Sequence, residues 1–143
     1  MTHVEKANDL FSRNFHCSQA VFATFSEELG LTEEQALKIG ACFGSGMRKG
    51  EVCGACTGAL MALGLKYGQA DEQDMDSRLK TNEVTDMFLD KFKRENGAYL
   101  CKELLGCDVS TKEGIAEAID KKLFIEFCPK MVESATKIVE EMI

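Results

Sequence analysis

The stretch GEVCGACTGALMALGLKYG constrains this chain more than any other part of the sequence. It predicts a helix that begins at about Val52 or Cys53, with the thiols of Cys53 and Cys56 on one face, because residues three apart are neighbours on a helix. Gly54 and Gly58 lie inside this helix, although glycine costs ~1 kcal/mol there relative to alanine. We therefore expect a bulky group or a second backbone to lie very close to these two glycines.

The start of this helix predicts a reactive thiol. A cysteine in the first turn of a helix lies at the positive end of the helix dipole, which stabilises a thiolate. The preceding loop, GSGMRKG, contains three glycines that allow positive φ angles and close approach to a ligand. Arg48 and Lys49 in this loop place positive charge beside Cys53. We expect a lowered pKa for Cys53 and a binding surface at Gly54, Gly58 and Arg48, with a plain solvated turn as the alternative for the loop.

The rest of the chain favours helices over sheet. There is one proline, β-branched clusters are scarce, and apolar residues recur at helical spacing. Asn14, Thr32 and Ser110 are the predicted N-caps of later helices. The 143 residues suffice for one hydrophobic core. The sequence predicts an all-α protein, with residues 1–143 forming one domain, a compact bundle of about six to eight helices.

The net charge and the hydropathy of the chain restrict the classes of partner that we expect it to bind. The net charge of −7 argues against nucleic acid, because phosphate binding needs a basic surface. No apolar run reaches the ~18 residues of a membrane helix, so we expect no membrane insertion. The N-terminus MTHVEKANDLF carries charges and lacks the apolar region of a signal peptide, which predicts a cytoplasmic protein.

The chain has seven cysteines, and their number and positions bear on its function. An odd count excludes complete pairing, and intracellular cysteines are more often catalytic or metal-binding than structural disulfides. Cys17, Cys53 and Cys128 each lie at a predicted helix start, where a thiol pKa can fall from ~8.5 to ~3.5–7.5. Cys101 joins them if the fold brings it near. We expect Cys42 to be a small buried hydrophobe, and the pattern gives no role to Cys107.

Several familiar sites do not match this pattern. Zinc sites usually show two close pairs of ligands, whereas only Cys53 and Cys56 are closely spaced here. Ferredoxin spacings are missing, so an iron–sulfur cluster would need scattered thiolates. No βαβ pattern surrounds the CxxC of a thioredoxin-type motif, and Thr57 occupies the position of the histidine in a haem-attachment motif. His16 is either a base or ligand beside Cys17 or, more simply, a surface residue.

The segment from Cys53 to Gly58 reads CGACTG and contains the pattern CGAxxG. With Cys17, Cys101 and Cys128 it resembles the C_GCAxxG_C_C family of putative redox-active bacterial proteins, over nearly the whole chain. The resemblance implies redox activity at these four cysteines. A similar segment in split-Soret cytochromes implies, by analogy, a metal cofactor. Cys56 falls on a variable position of the motif.

These observations lead to one main functional prediction with two alternatives. We expect thiol/disulfide exchange or electron transfer, as in a thiol-dependent oxidoreductase with an unidentified redox partner, at Cys17, Cys53, Cys101 and Cys128. Cys53 is the expected nucleophile, and Cys17 and Cys128 resolve its disulfide. In the first alternative the same four cysteines bind an iron–sulfur cluster or zinc, with Cys56 as a spare ligand. In the second, the cysteines only pack in a helical interaction protein. The bare glycine surface also allows a homodimer.

Overall fold

The computed structural model describes all 143 residues, and nine α-helices account for most of them. The helices are α1 (His3–Ser12), α2 (Cys17–Ser26), α3 (Glu33–Gly40), α4 (Gly54–Tyr67), α5 (Met75–Asn96), α6 (Cys101–Leu105), α7 (Lys112–Asp120), α8 (Leu123–Glu126) and α9 (Cys128–Met142). The all-α prediction is confirmed, but the helix count was too low. Lys122 has a positive φ of 57°, which ends α7 and starts the separate single turn α8.

Two of the predicted N-caps are wrong by short distances. Asn14 does not cap α2, because it adopts a left-handed conformation with φ of 73° after α1, and α2 begins at Cys17 with His16 as its N-cap. Ser110 does not cap α7, because the next residue, Thr111, supplies the side chain that accepts a hydrogen bond from the helix. The predicted capping box at Thr32 is confirmed.

Helices α2 and α4 pack against each other at the centre of the protein. Helix α2 also contacts α1, α3 and α9, and α4 contacts α5 and α9. The two central helices approach closely at Gly58, where an added Cβ would lie 2.4 Å from the carbonyl oxygen of Ser18. A second backbone therefore occupies the space that a side chain would need, as expected for this glycine.

Two hydrophobic clusters of unequal size hold the helices together. The larger, called the large core here, contains 22 buried residues. They come from α1, α2, α3, α4, α5 and α9, together with Cys53 just before α4. The smaller, called the small core, contains five buried residues: Cys101, Leu105, Cys107, Val109 and Ala118. Phe127 packs against both clusters. None of the nine helices is long and apolar enough to cross a membrane.

Candidate functional site

The four cysteines singled out in the sequence line one cavity of about 300 Å³. Cys53 belongs to the large core and Cys17 packs against it, whereas Cys101 belongs to the small core and Cys128 packs against it. The cavity therefore lies where the two clusters meet. The other lining residues are mostly apolar: Phe11, Phe15, His16, Ser45, Gly54, Leu104, Leu105, Phe124, Phe127 and Met131. None of the lining residues is Asp, Glu, Lys or Arg. This cavity is called the thiol pocket below.

Cys17 and Cys53 meet where α2 and α4 begin. Cys17 is the first residue of α2, and Cys53 is the N-cap of α4, one residue before the helix that we expected it to start. The Cys17 sulfur lies against the bare Cα of Gly54, where an added Cβ would be only 2.4 Å away from it. The two thiols share a hydrogen bond. Gly54 thus lets the first turn of α4 approach the Cys17 sulfur.

A single pair of extended residues brings Cys101 to the pocket. Val52 and Leu100 form an isolated antiparallel bridge. The Cys53 N–H donates to the Tyr99 carbonyl oxygen at 2.8 Å, and the Cys101 N–H donates to the Glu51 carbonyl oxygen at 2.6 Å. These two bonds tie the starts of α4 and α6 together although the residues are almost fifty positions apart. Sequence reasoning missed this bridge, because one pair of extended residues has no periodicity to detect.

Cys128 reaches the pocket from the corner between α8 and α9. It is the first residue of α9 and Pro129 is the second, so the predicted N-cap assignment was wrong by one position. Phe127 occupies the N-cap and has right-handed helical angles. Helix α8 therefore turns almost directly into α9, and the aromatic ring of Phe127 lies beside Cys128 in the pocket wall.

The loop before Cys53 has an unusual backbone conformation that extends beyond its glycines. Ser45, Gly46, Met47 and Arg48 all have positive φ, between 54° and 64°. For residues other than glycine this conformation costs roughly 1–2 kcal/mol each, and such strain concentrates at functional sites. The loop directs the backbone N–H of Ser45 at the Cys17 sulfur, where it favours the thiolate.

The expected low thiol pKa values are wrong. The hydrogen bond with Cys53 and burial raise the pKa of Cys17. For Cys53, the hydrogen bond from Cys17 favours the thiolate, but the Cys56 thiol and burial outweigh it and raise the pKa. Burial, with the charge of Cys17, raises the pKa of Cys101 to about 12, and burial with the charges of Cys17 and Cys101 raises that of Cys128 to about 12. Loss of water outweighs position at a helix start.

The charged part of the predicted binding surface lies elsewhere. Arg48 and Lys49 are exposed, and neither lines the thiol pocket. Gly58 faces the Ser18 backbone, so its bare surface is used for packing inside the chain. Of the three predicted binding residues, only Gly54 borders the pocket.

The remaining cysteines have three different environments. Cys56 is fully buried in the large core, behind the pocket, with its thiol against that of Cys53. Cys107 is buried in the small core, and burial followed by the charge of Glu117 raises its pKa. Cys42 is exposed, so the prediction of a buried hydrophobe is wrong. Its helix, α3, ends at Gly40 and leaves Cys42 in the following turn.

The chemistry of the pocket suits a soft metal, but its geometry does not. Thiolates are the ligands that zinc and iron–sulfur clusters prefer. No three His, Cys, Asp or Glu side chains in the structure lie close enough together to hold a metal ion. All seven cysteines are free thiols. As arranged, the four cysteines line one cavity, but their sulfurs are not grouped as metal ligands would be.

Phenylalanine rings form one wall of the thiol pocket, and sequence reasoning missed this aromatic wall. Phe15 precedes Cys17 by two residues and Phe127 directly precedes Cys128, so each helix start delivers a ring together with a sulfur. Phe11 and Phe124 complete the wall and continue into an adjoining groove. The Oδ1 atom of Asn8, which borders this groove, is buried without a hydrogen-bond partner.

The fold and the pocket define a small helical protein with several cysteines gathered in one apolar cavity. The chain belongs to the family described as putative redox-active protein (C_GCAxxG_C_C), whose sequence pattern matches residues 15–142. The family predicted from the CGAxxG motif is thus confirmed. Neither the curated proteins nor the solved structures contain a significant match.

Proposed function

We propose that the protein carries out two-electron thiol redox chemistry in the thiol pocket, with Cys17 and Cys53 as the first reacting pair. The observation that carries this proposal is that four cysteines from separate parts of the chain line one cavity. Packing alone does not require four thiols at four separate helix starts to face the same space. Membership of a family described as redox-active supports the same chemistry.

Cys53 is the nucleophile in this proposal. The Cys17 thiol and the Ala55 N–H both favour the Cys53 thiolate, against the Cys56 thiol and the burial that raise its pKa overall. The Cys53 thiolate attacks one sulfur of an incoming disulfide and expels the other as a thiolate. Cys17 then attacks the Cys53 sulfur of the mixed disulfide, which closes the Cys17–Cys53 bond and releases the second thiol. The protein pair loses two electrons and two protons, and the incoming disulfide takes them up as two thiols.

Cys101 and Cys128 form the second stage. Both thiols feel the charge of the Cys17 sulfur, which places them near it in the pocket. Attack of either one on Cys17 breaks the Cys17–Cys53 bond, returns the electron pair to Cys53 and moves the disulfide toward the small core. This exchange needs no further oxidant, because one disulfide is broken for each one formed.

The test is to equilibrate the protein with mixtures of reduced and oxidised dithiothreitol, block free thiols with N-ethylmaleimide and map the adducts by mass spectrometry. We expect a Cys17–Cys53 link in the wild type and in the matched control Cys107→Ser, since Cys107 is buried outside the pocket. Cys17→Ser and Cys53→Ser should not form this link. Equal labelling of all seven thiols at every mixture would contradict the proposal.

The metal-binding alternative draws on the same four soft donors, and it makes a different prediction. Anaerobic purification should then give a coloured or zinc-containing protein whose metal is lost in Cys101→Ser and kept in Cys107→Ser. A metal-free, colourless protein that forms the Cys17–Cys53 disulfide instead supports the redox proposal. Metal analysis and a visible spectrum on the same sample distinguish the two.

A further inference from the structure

The walls of the thiol pocket restrict what can reach its sulfurs. Apart from the cysteines, the cavity is bounded mainly by phenylalanine, leucine and methionine side chains. His16, at the exposed rim, is the one lining side chain of an ionisable type besides the cysteines. A charged substrate group would lose its water here without gaining a partner of opposite charge, which costs several kcal/mol.

The size of the cavity sets a second restriction. Its volume of about 300 Å³ is at the lower end of the ~300–1,000 Å³ that ligand pockets usually span. Aromatic rings such as Phe15 and Phe127 favour flat apolar groups, which stack on their faces or edges. A peptide-sized disulfide with charged ends does not match these walls in size or in charge.

We propose that the thiol pocket accepts a small, uncharged, apolar disulfide as its oxidising substrate. This inference rests on the proposed function and adds the substrate class. In the complete reaction an aryl disulfide, ArS–SAr, reacts with the thiols of Cys17 and Cys53. The products are the Cys17–Cys53 disulfide and two molecules of ArSH, which carry away both protons and both electrons.

Two aryl disulfides, one uncharged and one anionic, test the inference. Dipyridyl disulfide is uncharged at neutral pH, whereas bis(carboxynitrophenyl) disulfide carries two carboxylates. The exposed thiol of Cys42 is an internal reference, because it reacts in the same sample without entering the pocket. The measurement is the rate of reaction at Cys53 divided by the rate at Cys42, for each reagent, by quenched mass mapping of reduced wild-type protein.

We expect this rate ratio to be at least ~10-fold higher for the uncharged reagent, equivalent to about 1.4 kcal/mol. Equal ratios for both reagents, with the pocket disulfide still formed, would overturn the substrate class and leave the redox proposal standing. If neither reagent oxidises Cys17 and Cys53 while Cys42 reacts, the redox proposal itself fails, and the inference with it.

A wall variant gives an independent check. Leu104→Lys places a cation in the pocket wall, and Ile119→Lys places the same cation on the exposed surface of α7, away from the pocket. The first substitution should raise the Cys53 to Cys42 rate ratio for the carboxylate reagent, and the second should leave it unchanged. A similar change in both variants would contradict control by the wall.

Discussion

Cys53 belongs to the large core and Cys17 packs against it, whereas Cys101 belongs to the small core and Cys128 packs against it. The first pair lies at the starts of α2 and α4, two helices held backbone against backbone at Gly58. In the second pair, Cys101 lies on the five-residue helix α6, and Cys128 begins α9 directly after the four-residue helix α8. The two halves of one pocket are therefore built with very different amounts of supporting structure.

This difference has a consequence for the chemistry. The large core fixes the contact between Cys17 and Cys53, so their reaction needs little rearrangement. Cys101 is held by one bridge, Val52 to Leu100, and by the four other buried residues of the small core. Regions with few buried apolar contacts open at lower free energy than the whole protein. We expect the small core to open locally, and the second exchange step to depend on that opening.

The largest expected effect comes from a matched pair of Leu→Ala substitutions. Leu63 is 1% exposed in the large core, and Leu105 is 8% exposed in the small core, beside the existing cavity. Buried Leu→Ala changes cost ~2–5 kcal/mol, and more where the structure cannot collapse. Leu63→Ala should lower the free energy of unfolding by an amount in the upper half of that range. Leu105→Ala should lower it by an amount at or below the lower end of the range. Urea unfolding followed by circular dichroism measures both.

Equal losses for the two variants would break the comparison between the cores. A larger loss for Leu105→Ala would reverse it, and would mean that the small core limits the stability of the whole protein. Hydrogen exchange of the α4 and α6 amides sharpens the result, because Leu105→Ala should speed exchange in α6 while α4 keeps its protection.

A second, smaller effect separates two glycines of the same helix. At Gly58 an added Cβ would lie 2.4 Å from the Ser18 carbonyl oxygen, whereas at Gly64 no atom lies within 4 Å of it. Gly58→Ala should destabilise the protein by about 1–3 kcal/mol through overpacking. Gly64→Ala should stabilise it by up to ~1 kcal/mol, because alanine is the better helix former. Thermal unfolding measures both, and a stabilising Gly58→Ala would show that α2 and α4 are not held as closely as the structure indicates.

Local signals were enough to predict much of this fold. The capping box at Thr32 and the proline after Cys128 mark helix starts by chemistry that acts within one turn. For the same reason, the positions of Cys17, Cys53 and Cys128 at or next to helix starts could be predicted to within two residues. The need for close packing at Gly54 and Gly58 could also be predicted, since two glycines in a helix interior are costly without a reason.

Long-range features could not be predicted in this way. The Val52–Leu100 bridge joins residues that no local pattern connects, so the placement of Cys101 in the pocket depended on the fold. The direction of the pKa shifts failed for a related reason. Position at a helix start can be inferred from sequence, but burial of the thiols depends on helices far away in the chain. The exposure of Cys42 also follows from where α3 ends, at Gly40.

The smallest expected effect is the difference between the two pairs in how steeply stability falls at alkaline pH. An ordinary thiol loses its proton near pH ~8.5, so above that pH the unfolded chain binds fewer protons than the folded protein, whose raised pKa values keep its thiols protonated. Stability must then fall as pH rises from ~8.5 toward 12, by about 1.4 kcal/mol per pH unit for each proton retained.

The comparison uses two double variants and the slope of unfolding free energy against pH between pH ~8.5 and the raised folded values. Removing Cys17 and Cys53 by serine should flatten this slope most, because it also removes the Cys17 charge that helps to raise the pKa values of Cys101 and Cys128. Removing Cys101 and Cys128, whose pKa values rise to about 12, should flatten it less, since neither thiol contributes to the raised pKa values of Cys17 and Cys53. Other titrating groups cancel, because both variants retain them. A slope that neither variant changes would mean that the pocket thiols ionise as freely in the folded protein as in the unfolded chain, and burial would then no longer set their reactivity.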